Sequence, residues 1–242
     1  MSATTAGDAR EPTILLCLPH AGAGPNVFRS WNRLEVEGVR VYPIELPGRG
    51  RQIGEEPYTD VLTAVDGMAH DVLPLLGGGQ RLVLFGHCLG ALLCFELTRR
   101  LRHDGVPVAH LFVSGSPGPY STREQRATDV EDDDEFLAAL RRIAGYHDPA
   151  LENRELRELM LPTLRADVRM HEDYRPAADG VLDVPITAIR GDQDDIVSAP
   201  EAAQWRGMTT AEFDAIELPG GHMYFTEQAA ALLAKARSVR AG

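Results

Sequence analysis

Five short apolar runs, rich in β-branched residues and closed by Gly or Pro, punctuate the chain at 13–19, 39–46, 81–86, 109–114 and 185–191. Continuous apolar runs of this length read as strands buried on both faces. Between and after them, apolar residues recur three or four apart over 60–76, 89–103, 199–206 and 227–239, the spacing of helices with one buried side. Strands that alternate with helices predict an α/β fold, a mostly parallel central sheet with helices on both faces.

The rhythm breaks between about 117 and 180, where no strand pattern occurs. An acidic run at 131–135 precedes helical spacing over 136–143 and again over 153–174. Acids at a helix start favour its dipole, so the run reads as a solvated first turn. The segment is expected to form an inserted helical lid over the active-site edge of the sheet. The organisation that follows is a flexible tail over 1–12 and a single domain over 13–242.

Composition narrows the classes. Hydrophobic residues are 44% and charged residues 25% of the 242, ordinary globular usage. A formal charge of -12 argues against nucleic acid as a partner, because phosphate binding rests on clustered Lys and Arg. No apolar run is long enough to span a bilayer and the N-terminus lacks the apolar core of an export signal, so the expected setting is cytoplasmic, away from membranes. Cys17, Cys88 and Cys94 are odd in number and lack CxxC spacing, which fits a reduced compartment rather than disulfides or zinc. The eight histidines show no HExxH spacing, so no metal and no resident cofactor are expected.

The sharpest chemical signal is Gly86-His87-Cys88-Leu89-Gly90, an apolar strand running straight into Gly-x-Cys-x-Gly and then a helix. This is a nucleophile elbow: a tight turn lifts the side chain off the sheet to a helix N-terminus, whose partial positive charge favours a thiolate. Cys17 inside a strand and Cys94 on the apolar side of a helix read as core residues. An elbow needs an acid and a histidine, in that chain order. Gly191-Asp192-Gln193-Asp194-Asp195 supplies acids at a strand's carboxyl end, with Asp194 preferred over Asp192 or Asp195. Gly220-Gly221-His222 supplies the base. Oxyanion stabilisation needs two backbone N–H donors, assigned to Leu89 after the nucleophile and to Ala21 in the loop 18–24.

These motifs together resemble the type II thioesterases of polyketide and nonribosomal peptide biosynthesis, within the α/β-hydrolase fold. The resemblance rests on Leu18-Pro19-His20-Ala21-Gly22 with Trp31, Leu46-Pro47-Gly48-Arg49-Gly50-Arg51, the elbow, Gly191-x-x-Asp194-x-x-Val197 and Gly220-Gly221-His222. The spacings match too, 106 residues from 88 to 194 and 28 from 194 to 222. It implies a helical lid, selects Asp194 as the acid and supports Ala21 and Leu89 as oxyanion donors. It further implies acyl substrates carried as thioesters on the phosphopantetheine of acyl or peptidyl carrier proteins, and release by hydrolysis.

One departure matters: the family normally has serine where this chain has Cys88. Attack by a thiolate on a thioester yields another thioester, so the acyl-enzyme stays activated. The alternative activity is therefore acyl transfer, condensation or cyclisation onto an amine, alcohol or thiol, unless the cysteine was put in a serine's place to trap the intermediate. A non-catalytic carrier-binding module is the third reading. Carrier proteins are generally acidic, so docking would need local basic surface. Arg49, Arg51, Arg123 and Arg126 are the candidates, each more simply a solvated side chain.

Overall fold

The computed structural model describes residues 12–76, 80–121, 126–146, 148–176 and 180–240. The tail expected over 1–12 lies, but for Pro12, outside the described residues. In chain order the main elements are β1 (Thr13–Leu18), α1 (Arg29–Asn32), β2 (Val39–Pro43), α2 (Val61–Val72), β3 (Arg81–His87), α3 (Leu89–His103) and β4 (His110–Ser114). They continue as α4 (Asp133–Ala144), α5 (Arg154–Asp173), β5 (Ile186–Gly191), α6 (Ala199–Ala203), β6 (Phe213–Leu218) and α7 (Ala229–Ser238).

All strand pairs are parallel, in the order β2-β1-β3-β4-β5-β6. The strands alternate their side chains between two apolar layers. Ile14, Leu16, Leu82, Leu84, Leu111 and Val113 face one layer with α2 and α3, whereas Leu15, Cys17, Val83, Phe85 and Phe112 face the other with Trp31 and α7. Burial on both faces is why β1, β3, β4 and β5 read as apolar runs; β2, expected to be buried in the same way, lies at the sheet edge and leaves Arg40 and Tyr42 exposed. From β1 the chain steps out to β2 and then returns past β1 to β3, so the sheet grows in opposite directions from the β1–β3 boundary. Such a switch point opens a crevice at the carboxyl ends of the strands, and ligands bind there.

Two differences from the expected elements have physical reasons. β6 has the sequence Phe213-Asp214-Ala215-Ile216-Glu217-Leu218, with Asp214, Ala215 and Glu217 exposed. It pairs only with β5, at the sheet edge, so it needs no continuous apolar run. The apolar run 39–46 leaves the sheet after Pro43, and Ile44 and Leu46 stay buried in the following loop.

Between β4 and β5 lies the helical layer that the strandless segment announced. Asp132 caps α4 by accepting from the N–H groups of Asp134 and Glu135, and Gly145 ends it in the left-handed conformation. The acidic run does more than solvate a helix start, because Asp133 pairs with Arg165 and Asp134 with Arg157, tying α4 to α5. Under these surface pairs Phe136, Leu140, Leu161, Leu164 and Val168 form a separate apolar cluster, against which Ala21 packs. Each such side chain contributes about 2 kcal/mol by leaving water. None of the described helices is long and apolar enough to cross a membrane.

Candidate active site

β3 ends in His87, and the next residue, Cys88, has φ 55 and ψ -115 before α3 begins at Leu89. A non-glycine residue in this region costs about 1–3 kcal/mol and persists only where its surroundings impose it. Here the Cys88 N–H donates to the Ser114 carbonyl at 2.8 Å and its own carbonyl accepts from Ala91 at 3.0 Å. Close packing fixes the flanking glycines. A Cβ on Gly86 would lie 2.0 Å from the Gly90 carbonyl oxygen, and one on Gly90 would lie 2.2 Å from that of Leu18.

His222, in the loop between β6 and α7, meets this turn. Its ring is hydrogen-bonded to the Cys88 sulfur, and Nδ1 donates to Asp194 Oδ2 at 2.9 Å. Asp194 leaves the end of β5 with its carboxylate fully buried, and Oδ1 accepts from the N–H groups of Ile196 and Val197 at 2.9 and 3.1 Å. Of the three acids in that loop, only Asp194 reaches the imidazole. Asp192 instead accepts from the Gly220 N–H at 2.9 Å, bracing the histidine loop, and Asp195 is exposed.

Three imidazoles crowd this corner, with His87 4.8 Å from His222 and 6.1 Å from His20 between ring centres. Burial pushes all three toward the neutral form. For His222 the hydrogen bonds it makes to Asp194 and with Cys88, with the Coulombic attraction of both, outweigh that and raise it to about 9. His20 falls to about 4 through burial and then repulsion from His222, and His87 is lowered in the same way. Of the three rings, the one that the carboxylate and sulfur share is therefore the one whose hold on a proton is raised. Burial lowers the acidity of Cys17 and Cys94, whereas Cys88 is partly exposed and lines a cavity. His87 Nδ1 and Tyr224 Oη converge on Ser114, whose Oγ lies 2.8 Å from the first and 2.5 Å from the second. That buried brace has no counterpart in the motif spacing.

The cavity measures about 210 Å³. Its floor is Cys88, His20, Ala21 and His222, and its roof is Leu140, Ile143, Tyr146, Leu164 and Val168 of the helical layer. The roof is mostly apolar, with Asp148, His171 and Glu172 at its polar margin. Ala21 faces the cavity from the loop after β1, and Leu89 opens α3, where the first N–H groups of a helix have no intrahelical acceptor.

The arginines considered for docking resolve differently. Arg49 is no solvated side chain, because it is buried in a two-pronged ion pair with Asp167 of α5. Arg51 is exposed and holds Glu45. Arg126 pairs with Asp173 and approaches Asp129 and Glu172, while Arg123 lies outside the described residues. Among the described residues no cluster of His, Cys, Asp or Glu has the geometry of a metal site.

Residues 13–238 match the family model described as a thioesterase domain. The chain is 33% identical over 214 residues to the gramicidin S biosynthesis protein GrsT of Aneurinibacillus migulanus, covering 88% of this chain and 83% of that protein. It is 35% identical over 215 residues to the thioesterase PikA5 of Streptomyces venezuelae, covering 88% of this chain and 76% of that protein. The type II thioesterase BorB, from the borrelidin biosynthetic cluster, superposes with a TM-score of 0.83 at 31% identity, over 95% of this chain and 93% of that one.

Proposed function

The chain belongs to the thioesterase family, and on that premise we propose that it hydrolyses acyl groups carried as thioesters on the phosphopantetheine arm of a carrier protein. The relatives named for gramicidin S and borrelidin biosynthesis support a place in polyketide or nonribosomal peptide assembly. The observation that carries the reading is the relay from Cys88 through His222 to Asp194 at the floor of an apolar cavity.

In this mechanism the Cys88 thiolate attacks the thioester carbonyl, with the N–H groups of Ala21 and Leu89 holding the oxyanion. The bond from carbonyl carbon to the carrier sulfur breaks, and that sulfur leaves as a thiol with the proton from His222. Water then attacks the Cys88 acyl-enzyme, giving its proton to His222. The carbon–sulfur bond breaks, and the carboxylic acid departs. Asp194 keeps Nδ1 protonated throughout, so the opposite side of the ring faces the reacting atoms. The cavity is smaller than the roughly 300 Å³ at which sites for drug-sized ligands begin, which suits a short acyl group. The test is acid release from an acyl-carrier thioester, absent in Cys88→Ala; a folded wild-type protein that releases no acid refutes the reading.

A second reading rests on the sulfur itself. The acyl-enzyme is a thioester, so a supplied amine, alcohol or thiol competes with water for it. Faster capture by such an acceptor than by water makes acyl transfer the principal activity.

A further inference from the structure

The buried pair between Arg49 and Asp167 takes no part in the proposed acyl transfer. Its surroundings nonetheless converge on one loop. Arg49 Nη1 and Nη2 donate to Asp167 Oδ2 and Oδ1 at 2.7 and 2.8 Å, a planar fork on a carboxylate. The Asp167 side chain is fully buried and that of Arg49 is 8% exposed. Asp167 Oδ2 also accepts from the Gly22 N–H at 2.7 Å, and Arg49 Nη1 donates to the Ala23 carbonyl at 3.0 Å. One helix turn earlier, Thr163 Oγ1 donates to the Gly48 carbonyl at 2.7 Å. Helix α5 of the roof thus grips both the loop after β1 and the Pro47–Arg49 turn, through a largely buried, charge-assisted network.

The Gly22 N–H belongs to the peptide that follows Ala21. Fixing it pins the peptide plane on the carboxyl side of the Ala21 Cα, so that only φ and ψ of Ala21 separate the anchor from the Ala21 N–H one peptide earlier. A bare ion pair at such a depth is a poor source of stability, because the desolvation cost of two charges offsets most of their attraction. Its hydrogen bonds to the loop give it another consequence.

We propose that Asp167 and Arg49 are positioning residues that aim the Ala21 N–H at the developing oxyanion and couple that donor to the seating of the helical roof. The inference rests on the reading of Ala21 as an oxyanion donor and Cys88 as nucleophile. Loss of the anchor misplaces a donor without touching the nucleophile or its base. Misplacement of about 1 Å lowers the rate on the order of 100-fold.

The experiment compares two reactions of the same sulfur. Acylation by a thioester builds an oxyanion, whereas alkylation by iodoacetamide displaces iodide from a saturated carbon and builds none. Asp167→Asn and the apolar double variant Arg49→Met with Asp167→Leu are measured beside wild type; the double variant removes both charges together and so avoids leaving one buried alone. Expected is a fall in kcat on the order of 100-fold in thioester hydrolysis with little change in KM, while the alkylation rate of Cys88 stays within about twofold of wild type. Equal loss of both reactions would mean a general collapse of the site, and wild-type hydrolysis in the double variant would mean the anchor does not aim the donor; either overturns the proposal. If wild type itself neither hydrolyses the thioester nor is acylated by it, the underlying catalytic reading fails instead, and the two failures are told apart.

Discussion

At the scale of the residue, the site is a contest over one proton. Burial drives His20, His87 and His222 toward neutrality, and only the ring shared by Asp194 and the Cys88 sulfur is held protonated, up to about 9. In the proposed mechanism Cys88 attacks as a thiolate, which a protonated His222 stabilises. The linkage has a definite sign. The folded imidazole binds its proton more tightly than the ordinary value of 6.5, so its pairing contributes stability that is full below 6.5 and is lost as pH rises through 9. Urea denaturation of wild type against His222→Gln should show a stability gap at pH 6 that narrows by pH 10; a gap that widens over that interval contradicts the assignment. His222→Ala should lower kcat by a factor on the order of 1000, because the members of such a set act as a unit. Cys88→Ser is informative in both directions: higher hydrolysis in the serine variant indicates that the cysteine serves transfer or stands in a serine's place, and silence indicates chemistry tuned to a thiolate. Cys88, Asp194 and His222 were legible as residues because each sits in a glycine-marked turn of fixed geometry. Arg49, Asp167 and the Ser114 brace were not, since their partners lie 118 and 27 residues away along the chain and carry no local pattern.

At the scale of the element, strand, elbow and helix form a single rigid unit. The Gly86 and Gly90 positions admit no Cβ, so Gly86→Ala should destabilise the fold by about 3 kcal/mol in thermal or urea unfolding; an unchanged midpoint would mean that the turn tolerates expansion. On the proposed function the roof helices, which line the cavity over Cys88, limit the length of the acyl chain. Val168 is buried and lines the cavity, so Val168→Ala should shift the ratio of kcat/KM toward longer acyl chains about tenfold, the value of one or two methylene groups in an apolar pocket. An unchanged chain-length profile would place the acyl group elsewhere. Helices α4 and α5 could be read from their periodicity, as could the absence of strands around them. Which of their faces covers the cavity could not, because the apolar positions of α4 and α5 serve both the roof cluster and the cavity wall. Edge strand β6 escaped for the opposite reason, since a strand wet on one side needs few apolar residues.

At the scale of the whole molecule, the order β2-β1-β3-β4-β5-β6 places the loop after β1 and the turn after β3 side by side at the switch point. Residues distant in sequence, Ala21, Cys88, Asp194 and His222, thereby reach one crevice, and the segment between β4 and β5 is free to fold over it. That architecture followed from the alternation of apolar runs and helical spacing, because βαβ units have few ways to pack. On the proposed function the sulfur at this crevice takes the acyl group from a thioester. Rapid-quench intact-mass spectrometry of the protein mixed with an acyl-carrier thioester tests it directly. A single acyl adduct mapping to Cys88 is expected, delayed in His222→Ala and missing from Cys88→Ala together with acid release. An adduct on another residue, or undiminished acid release by Cys88→Ala, would contradict it.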